Sequence, residues 1–262
     1  MTWLVAIALN TILAGVAIAS PKKLLTPAGI AHGWALGVLV WGSLGWQGYV
    51  VVMTYFLVGS AVTRIGMAEK EAAGIAEKRS GARGPENVWG SAAVAALCAL
   101  AILLIRGIST DTIMTLSSTT LIALLMLGYV ASFSTKLSDT CASEIGKAFG
   151  QRTFLITTLK PVPRGTEGAV SLEGTIAGIV ASAAIALIGW IVGLIPPLGI
   201  AICVIAAFVA TTVESLIGAT LQTQFAWLTN ELVNVINTLI GAVVATVLAV
   251  GLLQIYPQLL AE

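Results

Sequence analysis

The feature that most constrains the fold of this chain is its series of long apolar segments. The segments fall at 2–19, 28–46, 47–66, 88–106, 118–138, 172–194, 198–220 and 231–256. A helix needs about 20 apolar residues to cross the hydrocarbon core of a bilayer, and in lipid the backbone is satisfied only in helices or closed barrels. The pattern therefore predicts an all-α integral membrane protein, a polytopic bundle of about eight transmembrane helices.

Composition and charge agree with this prediction. The chain has 262 residues, of which 58% are hydrophobic and 10% charged, whereas soluble domains carry about 25% charged residues. We expect a single transmembrane domain over 1–262, with cytoplasmic basic loops at about 63–88 and 139–171. A net charge of +1 gives no indication of a nucleic-acid partner.

The basic residues divide unevenly between the two sides of such a bundle. Twelve of the 13 Lys and Arg residues fall in or beside the first, third and fifth loops, and Arg106 alone falls on the other side. Lys and Arg accumulate in the cytoplasmic loops of membrane proteins. We therefore predict that both termini are non-cytoplasmic.

The segment 136–147 carries charges inside an otherwise apolar run. Helical phase places Asp139, Ser143 and Lys147 on one face, and Glu144 widens that polar arc. A carboxylate at membrane depth costs about 2.5–3.5 kcal/mol on insertion scales, so retaining two indicates a function. We interpret Asp139 and Glu144 as Mg²⁺ ligands and catalytic residues together with Lys147. The alternative is an Asp139–Lys136 ion pair that helps the helices pack.

Two basic loops offer candidates for phosphate binding. Glycine-containing turns expose backbone amides, and neighbouring cations complete a site for an anion. The candidates are Arg64, Lys70, Lys78, Arg79, Arg83, Lys160 and Arg164. The alternative for the first loop is a solvated basic segment, and for the second it is a helix N-cap at Ser171 followed by Glu173.

The last two apolar runs carry further polar residues. Asn230, Asn234 and Asn237 step by four and three, so they share one helix face. An unpaired amide in hydrocarbon is costly, so we expect these side chains and Ser143 to line a lipid or substrate site; hydrogen bonding between helices is the alternative. The predicted metal ligands are Asp139, Glu144, Glu173 and Glu214.

Carboxylates for a hard cation and basic residues for phosphates, held in an apolar bundle, suit a Mg²⁺-bound nucleotide and a lipid phosphate. Phosphoryl transfer requires mainly positioning and charge neutralisation, which such a site supplies. Two other classes use the same residue types. One is a cytidylyltransferase that forms a CDP-linked lipid, and the other is a cation-coupled transporter.

Five segments carry a resemblance to a known family. They are GSAVTRIG, GIAEKRSGARG, SDTCASEIGKAFG, LITTLKPVPRGTEGAVSLEGT and ESLIGATLQ. Together they resemble a membrane-protein family, formerly a domain of unknown function, that contains the phytyl-phosphate kinases of vitamin E synthesis in plants and cyanobacteria. The resemblance implies phosphoryl transfer from a nucleoside triphosphate, CTP among the donors, to phytyl phosphate. The segment ENVWGS is similar to the chloroplast and cyanobacterial branch, which implies a plastid, thylakoid or cyanobacterial plasma membrane.

Overall fold

The computed structural model describes residues 2–108, 116–222 and 224–255, and these residues are mainly helical. The helices are α1 Thr2–Ala19, α2 Pro27–Thr63, α3 Met67–Ala72, α4 Pro85–Ile108, α5 Leu116–Phe149, α6 Leu172–Ile191, α7 Pro197–Thr220 and α8 Asn230–Ile255. A single 3-10 turn, Lys78–Gly81, precedes α4. Two short strands, β1 Thr153–Leu155 and β2 Ala169–Ser171, pair antiparallel between α5 and α6.

Helix α2 is two membrane spans joined at a glycine. Gly45 has a φ of 69° and a ψ of −162°, which interrupts the helix, and a left-handed φ is readily available to glycine. A straight helix of 37 residues would be about 55 Å long, which exceeds the thickness of a bilayer core. Instead the chain reverses at Gly45. The reversal brings Arg64, just after α2, beside the segment that precedes α2, where its guanidinium donates a hydrogen bond to the Lys23 carbonyl (3.1 Å).

The predicted number of spans is confirmed for the described part of the chain. There, six helices are long and apolar enough to cross a membrane, and α2 is one of them. Counting the two halves of α2 separately, and adding the shorter apolar helix α1, gives eight. The bend at Gly45 falls at the boundary between the predicted runs 28–46 and 47–66.

The two ends of the bundle differ in charge. We call the end at which α1, α5 and α7 finish the basic end, because the loops with Arg64, Lys70 and Arg164 lie there. Arg106 is at the opposite end, where its guanidinium donates to the carbonyl of Ser43 beside the α2 bend (2.9 Å). This arrangement matches the predicted separation of basic residues, while the direction in which the basic end faces stays a prediction.

Helix α5 is the centre of the bundle. It packs against α2, α4, α6, α7 and α8, and its hydroxyl residues Ser132, Ser134 and Thr135 are fully buried. Glycines allow the neighbouring backbones to come close, as is common in membrane bundles. A Cβ on Gly178 of α6 would lie 2.9 Å from the Ser138 hydroxyl of α5. A polar face of α5 is thus enclosed by protein.

The structure corrects the predicted second basic loop. Residues 139–149 belong to α5, so the connection begins at Gly150. Burial of Cys141 and Glu144 explains the extension, because these positions continue the packed face of the helix. The connection also contains the β1–β2 pair, with Phe154 opposite Val170. Strands of three residues are too short for a periodic signal, so the sequence did not indicate them.

Candidate functional site

Two acidic residues from different helices meet inside the bundle, and we call Asp139 and Glu214 the carboxylate pair. Asp139 on α5 is 8% exposed, and its carboxylate lies close enough to that of Glu214 on α7 for the two to interact electrostatically. Two carboxylates that share a site repel each other when both are ionised, and a cation or a shared proton between them relieves that repulsion. The pair is therefore suited to hold a proton or a hard cation.

Lys136 supplies a positive charge to the carboxylate pair. Its ammonium forms an ion pair with Asp139 one turn along α5, and it also interacts electrostatically with Glu214. The same ammonium donates to the Asn234 side-chain oxygen of α8 at 2.7 Å. Three helices converge at this lysine. The sequence indicated Lys136 as a structural partner only, although a lysine inside an apolar run is itself a signal of function.

Asn237 lies on the same face of α8 as Asn234 and is fully buried. Among the described residues, neither its amide oxygen nor its nitrogen has a hydrogen-bond partner. One turn further, Gly241 packs so closely on Thr135 that an added Cβ would lie 2.9 Å from the Thr135 Cβ. Asn234 contacts Lys136 and Gly241 contacts Thr135, both on α5. Asn237 lies between these two contacts and therefore also faces α5. An unsatisfied buried amide costs about 1–3 kcal/mol, so Asn237 is a candidate for binding a polar group.

Glu144 belongs to a second buried charge cluster. It forms an ion pair with Lys70 of α3, and the two side chains are 2% and 1% exposed. Lys147 lies 3.2 Å from the other carboxylate oxygen, and Lys70 also donates to the Thr63 carbonyl at 2.8 Å. Five residues of helix separate Glu144 from Asp139, a rotation of about 140°. The two acids therefore face different neighbours.

Glu173 lies elsewhere as well. Ser171 caps α6 by accepting a hydrogen bond from the Gly174 amide (3.1 Å), and the Glu173 carboxylate accepts one from the Gln151 amide (3.2 Å). In the described part of the chain, no three His, Cys, Asp or Glu side chains are grouped so that they could hold a metal ion. The structure thus brings together two of the four predicted metal ligands and places Glu144 and Glu173 apart from them.

Three predicted phosphate-binding arginines make structural contacts. Arg83 donates to the Tyr55 hydroxyl (2.7 Å), and its guanidinium carbon lies 5.1 Å from the centre of that ring. Arg79 pairs with Glu86, while Arg64 bonds backbone carbonyls before and within α2. These contacts fix the first basic loop to the bundle. The side chain of Lys78 lies outside the described part of the structure.

A cavity of about 400 Å³ opens at the basic end between α3, the end of α5 and the β1–β2 connection. Its lining includes three cations, one carboxylate and an apolar side chain, which are Lys70, Lys147, Arg164, Glu69 and Ile75. Lys147 is partly exposed and lies eight residues beyond Asp139, about 12 Å along the helix axis. The cavity combines cations with an apolar wall, which suits an organic anion. Lys160 is exposed on the same connection.

Two of the predicted lining residues, Ser143 and Asn230, make local contacts. The Ser143 hydroxyl donates to the Thr140 carbonyl of its own helix (3.2 Å). Asn230, at the start of α8, accepts a hydrogen bond from the Gln222 side chain. The predicted asparagine face therefore divides, since Asn230 joins a loop contact whereas Asn234 and Asn237 lie against α5.

The fold and site together define a polytopic integral membrane protein with charged groups buried at one end of the bundle. The chain belongs to the integral membrane protein family DUF92, whose model matches residues 10–242.

Sequence similarity to the relatives extends along most of the chain. An uncharacterised membrane protein of Synechocystis is 62% identical over 93% of this chain and 90% of its own length. The chloroplastic protein VTE6 of Arabidopsis thaliana is 45% identical over 97% of this chain and 74% of its own. An uncharacterised membrane protein of Methanocaldococcus jannaschii is 28% identical, with 87% of each chain covered. No solved structure matches the chain.

Proposed function

We propose that this protein is a lipid-phosphate kinase that transfers a phosphoryl group from a nucleoside triphosphate, CTP in particular, to phytyl phosphate or a similar isoprenyl monophosphate. The product is the corresponding diphosphate. The observation that carries the proposal is the carboxylate pair with Lys136, buried among membrane helices below a basic cavity. The similarity to VTE6 and the resemblance to phytyl-phosphate kinases support the same function.

The residues at the carboxylate pair fit Mg²⁺. Mg²⁺ is commonly held by one or two carboxylates together with substrate phosphates, and Asp139 and Glu214 provide two. The unpartnered amide oxygen of Asn237 is a further hard donor on the adjoining helix. When bound, Mg²⁺ would neutralise charge on the phosphates during transfer.

The other side chains would bind and orient the two substrates. Lys147 and Arg164 would hold the donor phosphates in the cavity, and Lys136 would hold the acceptor phosphate. An oxygen of the acceptor phosphate attacks the terminal phosphorus of the donor. The bond from that phosphorus to the bridging oxygen breaks, and the nucleoside diphosphate leaves. The surrounding helices exclude water, which prevents hydrolysis of the donor.

Differently labelled CTP tests this function. Purified protein in nanodiscs is given Mg²⁺, phytyl phosphate and CTP labelled on either the α- or the γ-phosphate. We expect the γ-label to enter phytyl diphosphate. Transfer of the α-label to the lipid would instead identify a cytidylyltransferase. Transfer of neither label would overturn both assignments and favour a transporter.

We further propose that the basic end faces the cytoplasm or the plastid stroma, with both termini on the opposite side. A single cysteine introduced at Arg79 should then react with a membrane-impermeant reagent from the cytoplasmic side. A cysteine at Arg106 should react from the other side. Labelling of the Arg79 position from outside would reverse this orientation.

Asn237→Leu should lower turnover at least about tenfold while leaving the protein equally or more stable. Leucine of similar size removes a buried amide that has no partner in the described structure, which is favourable for folding, but it also removes a donor and acceptor for substrate or metal. Stability is measured as the melting temperature in detergent and turnover with labelled CTP. Asn230→Leu, at the loop contact, is the control. A destabilised Asn237→Leu protein would show that the amide has a packing role.

A further inference from the structure

A narrow groove lies between α6 and α7, with α5 behind it, at the level of the carboxylate pair. Its volume is about 70 Å³. Lining residues that matter for its chemistry are Ser138, Gly178, Phe208, Thr211, Thr212 and Ser215. Ser138 directly precedes Asp139 and Ser215 directly follows Glu214, so the groove lies at the same depth in the bundle as the carboxylate pair.

The outer end of the groove reaches the lipid-facing surface. Ile179 of α6 and Phe208 of α7 both line the groove, and they are 40% and 49% exposed. Large apolar side chains on the outside of a transmembrane helix contact hydrocarbon. The groove therefore opens from the surrounding lipid toward the interior of the bundle, at the depth of the carboxylate pair.

Two neighbouring seams are closed in the described part of the structure. Between α5 and α6, a Cβ on Gly178 would meet the Ser138 hydroxyl at 2.9 Å. Between α5 and α8, Gly241 packs directly on Thr135. Of these three seams around α5, as far as the structure describes their residues, only the one that opens between α6 and α7 contains a groove large enough to be occupied.

The hydroxyl groups that α7 contributes to the groove are already satisfied. Ser215 donates to the Thr211 carbonyl (3.0 Å) and Thr212 to the Phe208 carbonyl (2.7 Å). Thr211 likewise bonds the Ala207 carbonyl. Because these hydroxyls are used within their own helix, the side chains present methyl and methylene groups to the groove. The α7 wall of the groove is therefore largely apolar despite its composition.

We propose that this groove holds the isoprenyl chain of the acceptor next to its phosphate, while the rest of the chain lies in lipid. The proposal rests on the proposed function and specifies how the acceptor reaches the site. The apolar groove walls can make van der Waals contacts with a hydrocarbon chain, and a single methyl-branched chain matches a narrow channel better than a two-chain phospholipid does. The phosphate is then delivered to Lys136 and the carboxylate pair from within the membrane.

A photoreactive substrate tests the proposal independently of turnover. Isoprenyl phosphate with a diazirine in its first isoprene unit is cross-linked to the full chain in nanodiscs, and the labelled peptides are identified. We expect labels on α6 and α7 around Thr175, Ile179, Phe208 and Thr212, and excess phytyl phosphate should remove them. Labels elsewhere, or equal competition by phosphatidylglycerol, would overturn the groove assignment.

Filling the groove gives a second, kinetic test. Thr212→Trp should raise the KM for phytyl phosphate about tenfold or more and leave the KM for CTP unchanged. Val243→Trp, at an exposed apolar position on α8, should change neither. Equal effects of the two tryptophans would contradict the groove. Specific cross-linking without transfer of either CTP label would retain the groove and reject the kinase, so the two proposals fail separately.

Discussion

Asp139→Asn should abolish phosphoryl transfer while the yield of folded protein stays nearly unchanged. Asparagine keeps the shape of the side chain and removes its charge. Neutralising charge supplies much of phosphoryl-transfer catalysis, so the loss should be at least about a hundredfold. Folding should survive because Lys136 retains Glu214 as a counter-ion and its hydrogen bond to Asn234.

The measurement is γ-label transfer per amount of monodisperse protein after size exclusion. Glu77→Gln, which removes an exposed carboxylate from the first basic loop, is the matched control and should retain activity. Glu214→Gln should resemble Asp139→Asn if both acids bind the same ion. Parallel loss of folded protein and activity in Asp139→Asn would contradict a catalytic role and leave the ion pair as a packing element.

Glu144→Gln should severely destabilise the protein. Removing one member of a buried ion pair costs about 3–5 kcal/mol, and here it also leaves Lys70 and Lys147 facing each other without the acid between them. Lys70→Met should cost less, because Glu144 keeps Lys147 as a partner. The readout is the fraction of protein that remains monodisperse after heating in detergent.

The double variant Lys70→Met with Glu144→Leu separates stability from catalysis. Replacing both charges with apolar groups of similar size is often neutral or stabilising, so it should recover much of the folded protein lost in Glu144→Gln. A folded and active double variant would remove Glu144 from the predicted metal ligands and Lys70 from the predicted phosphate-binding residues. A folded but inactive one would return Glu144 to the site. Failure of the double variant to recover would show that the charges themselves are required for folding.

The spans and their arrangement could be predicted from the sequence because their signals are local. Apolar length identifies each span, and even the reversal at Gly45 falls where two runs meet. The cost of a charge in lipid identified Asp139 as a candidate without knowledge of its neighbours. Helix ends were less predictable, since α5 continues to Phe149 through a charged segment.

The partners of each charge could not be predicted, because they depend on contacts between distant parts of the chain. Helical phase relates Asp139 to Lys136 on one helix, but it contains no information about Glu214 on α7. The same phase grouped Glu144 with Asp139, whereas α3 folds back and pairs Lys70 with Glu144. Several loop arginines look available for phosphate in the sequence, yet in the structure they bond to α2, to α4 and to the segment before α2.

The buried Lys70–Glu144 contact also determines the order in which parts of the bundle can assemble during synthesis. Glu144 follows Lys70 by 74 residues, so at about 5–20 residues per second the ribosome delivers it several seconds later. During that interval Glu144 is not yet available to pair with Lys70, and burying an unpaired lysine is unfavourable. The segment from Gly66 to Gly74 therefore stays exposed to water. The first loop can close on the bundle only after α5 has been inserted. The early hairpin of α2 is therefore in the membrane before the end of the bundle that carries the chemistry is complete.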